Sequence, residues 1–185
     1  MGRPGGGVWR FPWAAATLLL CTLAGPGFAA SPQTPPAPPS AESAVSGIAV
    51  TGVGGHAAKL TPGALAALPA VSLTISFATG HGEQHGRFSG PLLWTVLSRL
   101  GAIDSSSPRV LSHEVVLAIG SDGYTAAIAM GEIAPVFEGK QVILADEMDG
   151  HPLAPGHFRI IVPGDRYGGR DVRDVVRIRV LTPPP

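Results

Sequence analysis

From Val45 onward the chain sets short apolar runs between turns marked by glycine and proline, and the period of those runs changes along it. Ser46 to Val53 alternates apolar and small residues and ends at Gly54-Gly55, which predicts a strand. Thr61 followed by Pro62 is an N-cap residue followed by a proline suited to the first helical position, so a short helix through Leu68 is expected, stopped by Pro69. Val71 to Phe77 places Val, Leu, Ile and Phe against Ser72, Thr74 and Ser76, the signature of a half-buried strand. Arg87 to Ser89 predicts another. After Pro91 the period shifts: Leu92, Leu93, Val96, Leu97 and Leu100 recur at helical spacing, and Gly101 stands where a helix cap is wanted.

The second half reads mainly as strands. Val115 to Ile119 and Tyr124 to Ala129 flank the tight turn Ser121-Asp122-Gly123. Gly131 to Phe137 predicts a short helical segment, Gln141 to Ala145 a buried strand, and Asp149-Gly150 a turn. Phe158 to Val162 and Val175 to Val180 complete the count. Strands outnumber helices and most neighbours are joined as hairpins. The expected fold class is therefore α+β, with mainly antiparallel or mixed sheets and short helices.

The N-terminus changes the picture of where the chain works. Arg3 and Arg10 precede an uncharged apolar run from Trp13 to Leu23, and Gly27-Phe28-Ala29 offers small residues at the positions a signal peptidase reads. Residues 1–29 are therefore expected to be a signal peptide, giving a periplasmic or secreted protein with no membrane span once it is cleaved. The apolar run is short against the roughly 20 residues a membrane helix needs. No twin-arginine pair is present. The general export route threads unfolded chains, which cannot carry an inserted cofactor. Residues 30–44 are dense in proline and predict an extended tether. Residues 45–182 form one domain, long enough to bury roughly two-thirds of its surface, and residues 183–185 form a tail.

Loss of residues 1–29 would remove two of 13 basic groups and none of 13 acidic ones, leaving a slightly negative chain. That balance argues against nucleic acid as a partner, because a phosphate backbone demands a basic face. Positive charge is nevertheless concentrated, with Arg159, Arg166, Arg170, Arg173, Arg177 and Arg179 close together. Cys21 is the single cysteine, so the mature chain has no disulfide, no cysteine metal ligand and no cysteine nucleophile.

The stretch from Pro163 to Arg173 is the richest in candidate chemistry. A Pro-Gly turn and Gly168-Gly169 let backbone approach a ligand closely, and Arg166, Arg170 and Arg173 surround them with guanidinium forks suited to phosphate or carboxylate. His81-Gly-Glu-Gln-His85 spaces two histidines four apart, but its glycines break any helix that could aim both at a metal, so a polar loop is expected. No Gly-x-Ser-x-Gly turn, P-loop or dinucleotide fingerprint occurs. Asp146, Glu147 and Asp149 lack the regular oxygen ladder of a calcium loop and fit a charged turn.

Three segments taken in order resemble the molybdopterin-binding domain of the sulfite oxidase family, in its small exported stand-alone form. They are Phe88-Ser-Gly-Pro-Leu-Leu-Trp-Thr-Val-Leu-Ser-Arg-Leu-Gly101, then Gly120-Ser-Asp-Gly-Tyr124 with Val142 to Leu153, then Phe158-Arg-Ile-Ile-Val-Pro-Gly164 leading into Gly168-Gly-Arg-Asp-Val-Arg173. Order and spacing match over nearly all of residues 46–182. The resemblance implies that Arg170 and Arg173 contact a pterin and its phosphate, with Arg173 standing where lysine is usual. It also implies a metal-binding cysteine just after the Val71–Phe77 strand. Phe77 or its neighbour Ala78 stands there instead, and neither can ligate molybdenum. Ser76 or His81 could approach such a group, but nothing in their spacing argues for it. The His-Gly-x-Pro element of the family is also reduced here, with His157 running directly into Phe158.

The expectation drawn from these residues is a sulfite-oxidase-type scaffold without metal-thiolate chemistry, acting as a binding module. Arg166, Tyr167, Arg170 and Arg173, with His81, are its candidate cofactor-binding residues, and no catalytic or metal-ligating residue is assigned. Its ligand would be an anionic small molecule or pterin-like compound, and an envelope protein is a further candidate partner. No bound cofactor is expected, although the resemblance admits molybdopterin. Two other readings stay open: a working molybdenum-cofactor oxidoreductase with a non-cysteine ligand or a partner subunit, and an envelope assembly factor.

Overall fold

The computed structural model describes residues 47–184; the expected signal and tether, with Val45, Ser46 and Pro185, lie outside the described residues. The fold is α+β, with three sheets and short helices. The largest sheet has the order β2 (Ala57–Leu60), β1 (Ile48–Thr51), β11 (Val175–Leu181), β5 (Val115–Gly120), β6 (Thr125–Ala129). Within this sheet only the β1–β11 pair is parallel, and the first and last described strands lie side by side in its middle. A second sheet runs β3 (Ala70–Thr79), β4 (Gly82–Pro91), β8 (Glu147–Met148), β9 (His151–Pro152), and a two-stranded ribbon joins β7 (Ile143–Ala145) to β10 (Arg159–Ile161).

The helices are α1 (Pro62–Ala66), α2 (Leu93–Arg99), α3 (Pro108–Leu111) and α4 (Met130–Ile133). Thr61 caps α1 as its sequence demands, its Oγ1 accepting from the Ala64 N–H at 3.2 Å. Helix α2 buries Leu93, Val96 and Leu97 and ends where Gly101 takes φ +64°. There Ala102 N–H donates to the Leu97 carbonyl at 2.9 Å and Gly101 N–H to the Ser98 carbonyl at 3.1 Å, the paired bonds of a Schellman cap.

Two hydrophobic cores result. The larger packs the inner residues of the five-stranded sheet, such as Ile48, Val116, Ile128 and Ile178, against α1 to α4. The smaller centres on Phe88, with Ile143, Ala145 and Ile161, and lies between β3–β4 and the β7–β10 ribbon. Gly90 makes that second contact close: a Cβ there would stand 2.2 Å from the Leu144 carbonyl oxygen. The glycine of the Gly-Pro-Leu segment is therefore required by backbone passing backbone.

Several elements depart from the pattern-based reading. His81 to His85, expected as a polar loop, is the turn and the start of the second arm of a ten-rung hairpin, with Thr79 paired to Gly82 and Ala70 to Pro91. The ladder is supplied by backbone groups and tolerates the glycines, while Ser76 Oγ donates to Glu83 across it at 2.6 Å. Strand β2 and helix α3 form where the pattern of apolar positions predicts no element. Helix α3 opens with Ser107-Pro108, the same cap signature as Thr61-Pro62, and Ser107 Oγ accepts from the Val110 N–H at 3.4 Å.

Candidate functional site

The β3–β4 hairpin, strand β10 and the loop from Pro163 to Asp174 meet around a cavity of about 530 Å³. Each element contributes one wall. Strand alternation puts Phe77 on the inward face with Val71, Leu73 and Ile75, and the strand then carries Ala78, Thr79 and Gly80 along the rim. The loop contributes Tyr167, Gly168, Gly169, Asp171 and Arg173. It is pinned at both ends of its glycine pair. Ala78 N–H donates to the Arg166 carbonyl at 2.9 Å, and the Tyr124 hydroxyl donates to the Gly169 carbonyl at 2.5 Å. The Gly120 to Tyr124 turn thus serves to hold the loop in place.

Arg159 is the centre of the site's electrostatics. It stands in an apolar strand and is only 7% exposed, so its charge needs a partner. Asp171 supplies it: Arg159 Nε and Nη2 donate to the two carboxylate oxygens, each at 2.6 Å. The guanidinium also lies 5.0 Å from the Phe88 ring centroid and 5.8 Å from that of Phe77. Burial pushes the Asp171 carboxyl above its ordinary value of 3.8, although the hydrogen bonds and charge of Arg159 pull the other way. Gln84, from β4, completes the cluster. Its Oε1 accepts from Arg159 Nη2 at 3.1 Å and from Arg173 Nη2 at 3.2 Å. The carbonyl end must face them, because a guanidinium has no acceptor.

Of the residues expected to bind a cofactor, the structure brings Tyr167 and Arg173 to the cavity wall. Tyr167 is 73% exposed, and no carboxylate among the described residues lies within hydrogen-bonding distance of Arg173. Arg170 is directed elsewhere. Its Nε and Nη2 donate to Asp165 at 2.9 and 2.7 Å, and its Nη1 to Glu132 at 3.0 and 3.1 Å. Those bonds, Asp165's first, raise its already high pKa against the effect of burial. Arg166 gives the loop its backbone carbonyl while its side chain is exposed, and His81 sits exposed at the hairpin turn; neither lines the cavity. Arg159, Asp171 and Gln84 are the contacts that pattern reading missed. An arginine inside Phe158-Arg-Ile-Ile-Val162 is the signal that could have found the first, since a charge in a buried strand requires a partner.

The family model for the oxidoreductase molybdopterin binding domain matches residues 47–185. The chain belongs to this family. Among solved structures, the sulfane dehydrogenase SoxCD from Paracoccus pantotrophus is similar, with a TM-score of 0.60 at 16% sequence identity. The match covers 74% of this chain and 38% of that one, so this molybdopterin-binding-type domain spans well under half the length of its structural neighbour. At that identity the likeness speaks for the fold. A comparison with curated proteins gives no match. Among the described residues, no helix is long and apolar enough to cross a membrane.

The residues present fit the two parts of a metal-pterin group unequally. Aromatic walls, glycine amides and Arg173 suit a planar anionic body. A molybdenum ion is not suited: Phe77 and Ala78 offer it no electron pair. Thr79 Oγ1 is engaged with the Gly82 carbonyl and the His81 N–H. No three His, Cys, Asp or Glu side chains among the described residues come together as ligands.

Proposed function

We propose that this molybdopterin-binding-type domain is an exported binding module that holds a planar, anionic small molecule without metal-thiolate chemistry. The observation that carries this reading is the composition of one wall. Phe77 and Ala78, at the positions where the resemblance expects a thiolate, stand beside the Gly168-Gly169 amides and Arg173. An apolar aromatic ring can cover the face of a flat ligand, while a guanidinium with no carboxylate hydrogen-bonded to it favours an anion. The opposite requirement, a soft donor for a metal, is not met there.

Export follows from the charged start, apolar run and small residues of the N-terminus. A chain threaded unfolded through the general route would acquire its ligand outside the cytoplasm. Elemental analysis and oxidised-pterin fluorescence on protein purified from its native envelope fraction test the reading together. The expected result is protein in that fraction with no stoichiometric molybdenum. Molybdenum and pterin near one per chain would overturn it in favour of a working oxidoreductase.

A further inference from the structure

Arg159 and Arg173 border two cavities at once. Both line the cavity of about 530 Å³, and both line a neighbouring one of about 250 Å³ that Gln84, His157 and Asp174 also border. At the junction, the Gln84 carbonyl oxygen accepts from one nitrogen of each guanidinium, at 3.1 and 3.2 Å. Two guanidinium donors converging on one oxygen is how proteins hold phosphate or carboxylate. Here the oxygen is a neutral amide's. Asp171 pairs closely with Arg159 and feels Arg173 only through longer-range charge, so two guanidinium groups share one close carboxylate at the junction.

We propose that Gln84 is a built-in occupant of an oxyanion position formed by Arg159 and Arg173. A ligand carrying a phosphate or carboxylate on a planar ring takes that position by turning the Gln84 amide out. This rests on the reading of the larger cavity as a site for an anionic small molecule, and adds how that ligand is anchored and what competes with it. The ring lies against Phe77 and Tyr167, and the oxyanion reaches the junction. The amide's bonds already have ionised donors, but a phosphate or carboxylate adds ion-pair attraction and a second oxygen for the guanidinium forks, which a neutral amide oxygen cannot supply. Gln84 is half-buried, two residues beyond the hairpin turn, so turning its side chain out costs mainly its two bonds to the guanidinium groups.

Calorimetric titration with phenyl phosphate, set beside inorganic phosphate and phenol, reads both halves of the site in wild type, Gln84→Ala and Gln84→Glu. Removing the occupant should tighten phenyl phosphate by about tenfold, since only competing bonds are lost. Placing a carboxylate there should abolish phosphate binding while holding or raising the Tm, because the variant keeps the shape and neutralises Arg173. Phenyl phosphate should exceed both comparison compounds. A purely structural Gln84 would weaken binding and lower the Tm in the alanine variant instead. Equal affinity in all three proteins overturns the inference and leaves the cavity reading intact. Binding to none of them overturns both.

Discussion

The Phe77 ring lies so close to Gly168 that a Cβ at position 168 would stand 2.6 Å from Phe77 Cε2. Gly168 is thus fitted to a phenyl ring at the place where the resemblance expects a thiolate ligand. Loop and strand are matched to each other. A methyl at 168 must displace the ring or the loop, and overpacking of this kind costs about 1–3 kcal/mol. Gly168→Ala should lose that much in urea unfolding, whereas the same change in a Phe77→Ala background should lose less than about half of it. Additive losses would show that the two residues are not coupled.

Arg170 ties the loop to the five-stranded sheet through Glu132 at α4, and Lys140 Nζ adds a bond to Glu132 at 3.0 Å. Burial acts to raise the Glu132 carboxyl, but hydrogen bonds and charge from Lys140 and Arg170 outweigh it and hold it below its ordinary value of 4.5. A depressed carboxyl stabilises the fold above pH 4.5, and that contribution is lost as pH falls below it. Arg170→Ala should cost about 1–3 kcal/mol at neutral pH. Its acid unfolding should begin at a higher pH than in the wild type. An unchanged acid midpoint, followed by far-UV circular dichroism, would falsify this account of Arg170.

Features set by neighbours in sequence were legible. Thr61-Pro62 opens α1, Gly101 closes α2, and the alternation of Val71 to Phe77 foretells a strand with one face inward. The Gly-Pro-Leu and Gly-Gly-Arg segments marked the family, and the cavity does lie at the glycine loop. What stayed hidden depends on distant pairing. Gln84 and Arg159 are 75 positions apart, and Arg170 is matched by a glutamate 38 positions earlier. Local pattern could count the arginines of the loop but not reveal which of them already had carboxylates. The glycines of 80–86 concealed a hairpin arm because ladder bonding uses backbone and ignores side-chain propensity.

Arg159 and Asp171 form a pair too buried to lose one member. Removing the arginine leaves a carboxylate in a poorly hydrated site, at about 3–5 kcal/mol. Asp171 already titrates above 3.8 because of burial, so loss of its partner drives it further up. A raised carboxyl stabilises the fold below its ordinary value, and that contribution vanishes as pH rises through the folded value. Arg159→Met should therefore be closer to wild-type stability near pH 4 than at pH 7, and adding Asp171→Leu should remove that pH dependence. Persistence of the dependence in the double variant would assign it to another group.

The last distinction separates the two arginines that the resemblance treats alike. Arg173 faces both cavities, hydrogen-bonds only an amide oxygen among the described residues and acts on Asp171 at longer range, while Arg170 is engaged by two carboxylates outside the cavity wall. If the loop serves an anion, the free charge must do the work. Arg173→Ala should weaken phenyl phosphate by about tenfold or more while barely changing the Tm, as expected for an exposed side chain. Arg170→Ala should lower the Tm and leave the affinity within about threefold once the protein is folded. The Arg173→Lys variant keeps the charge but offers one compact donor group in place of the fork, so it should recover only part of the loss. Should Arg170 prove the more important for binding, the ion pairs around it must open in the liganded protein, and the assignment of the anion to Arg173 fails.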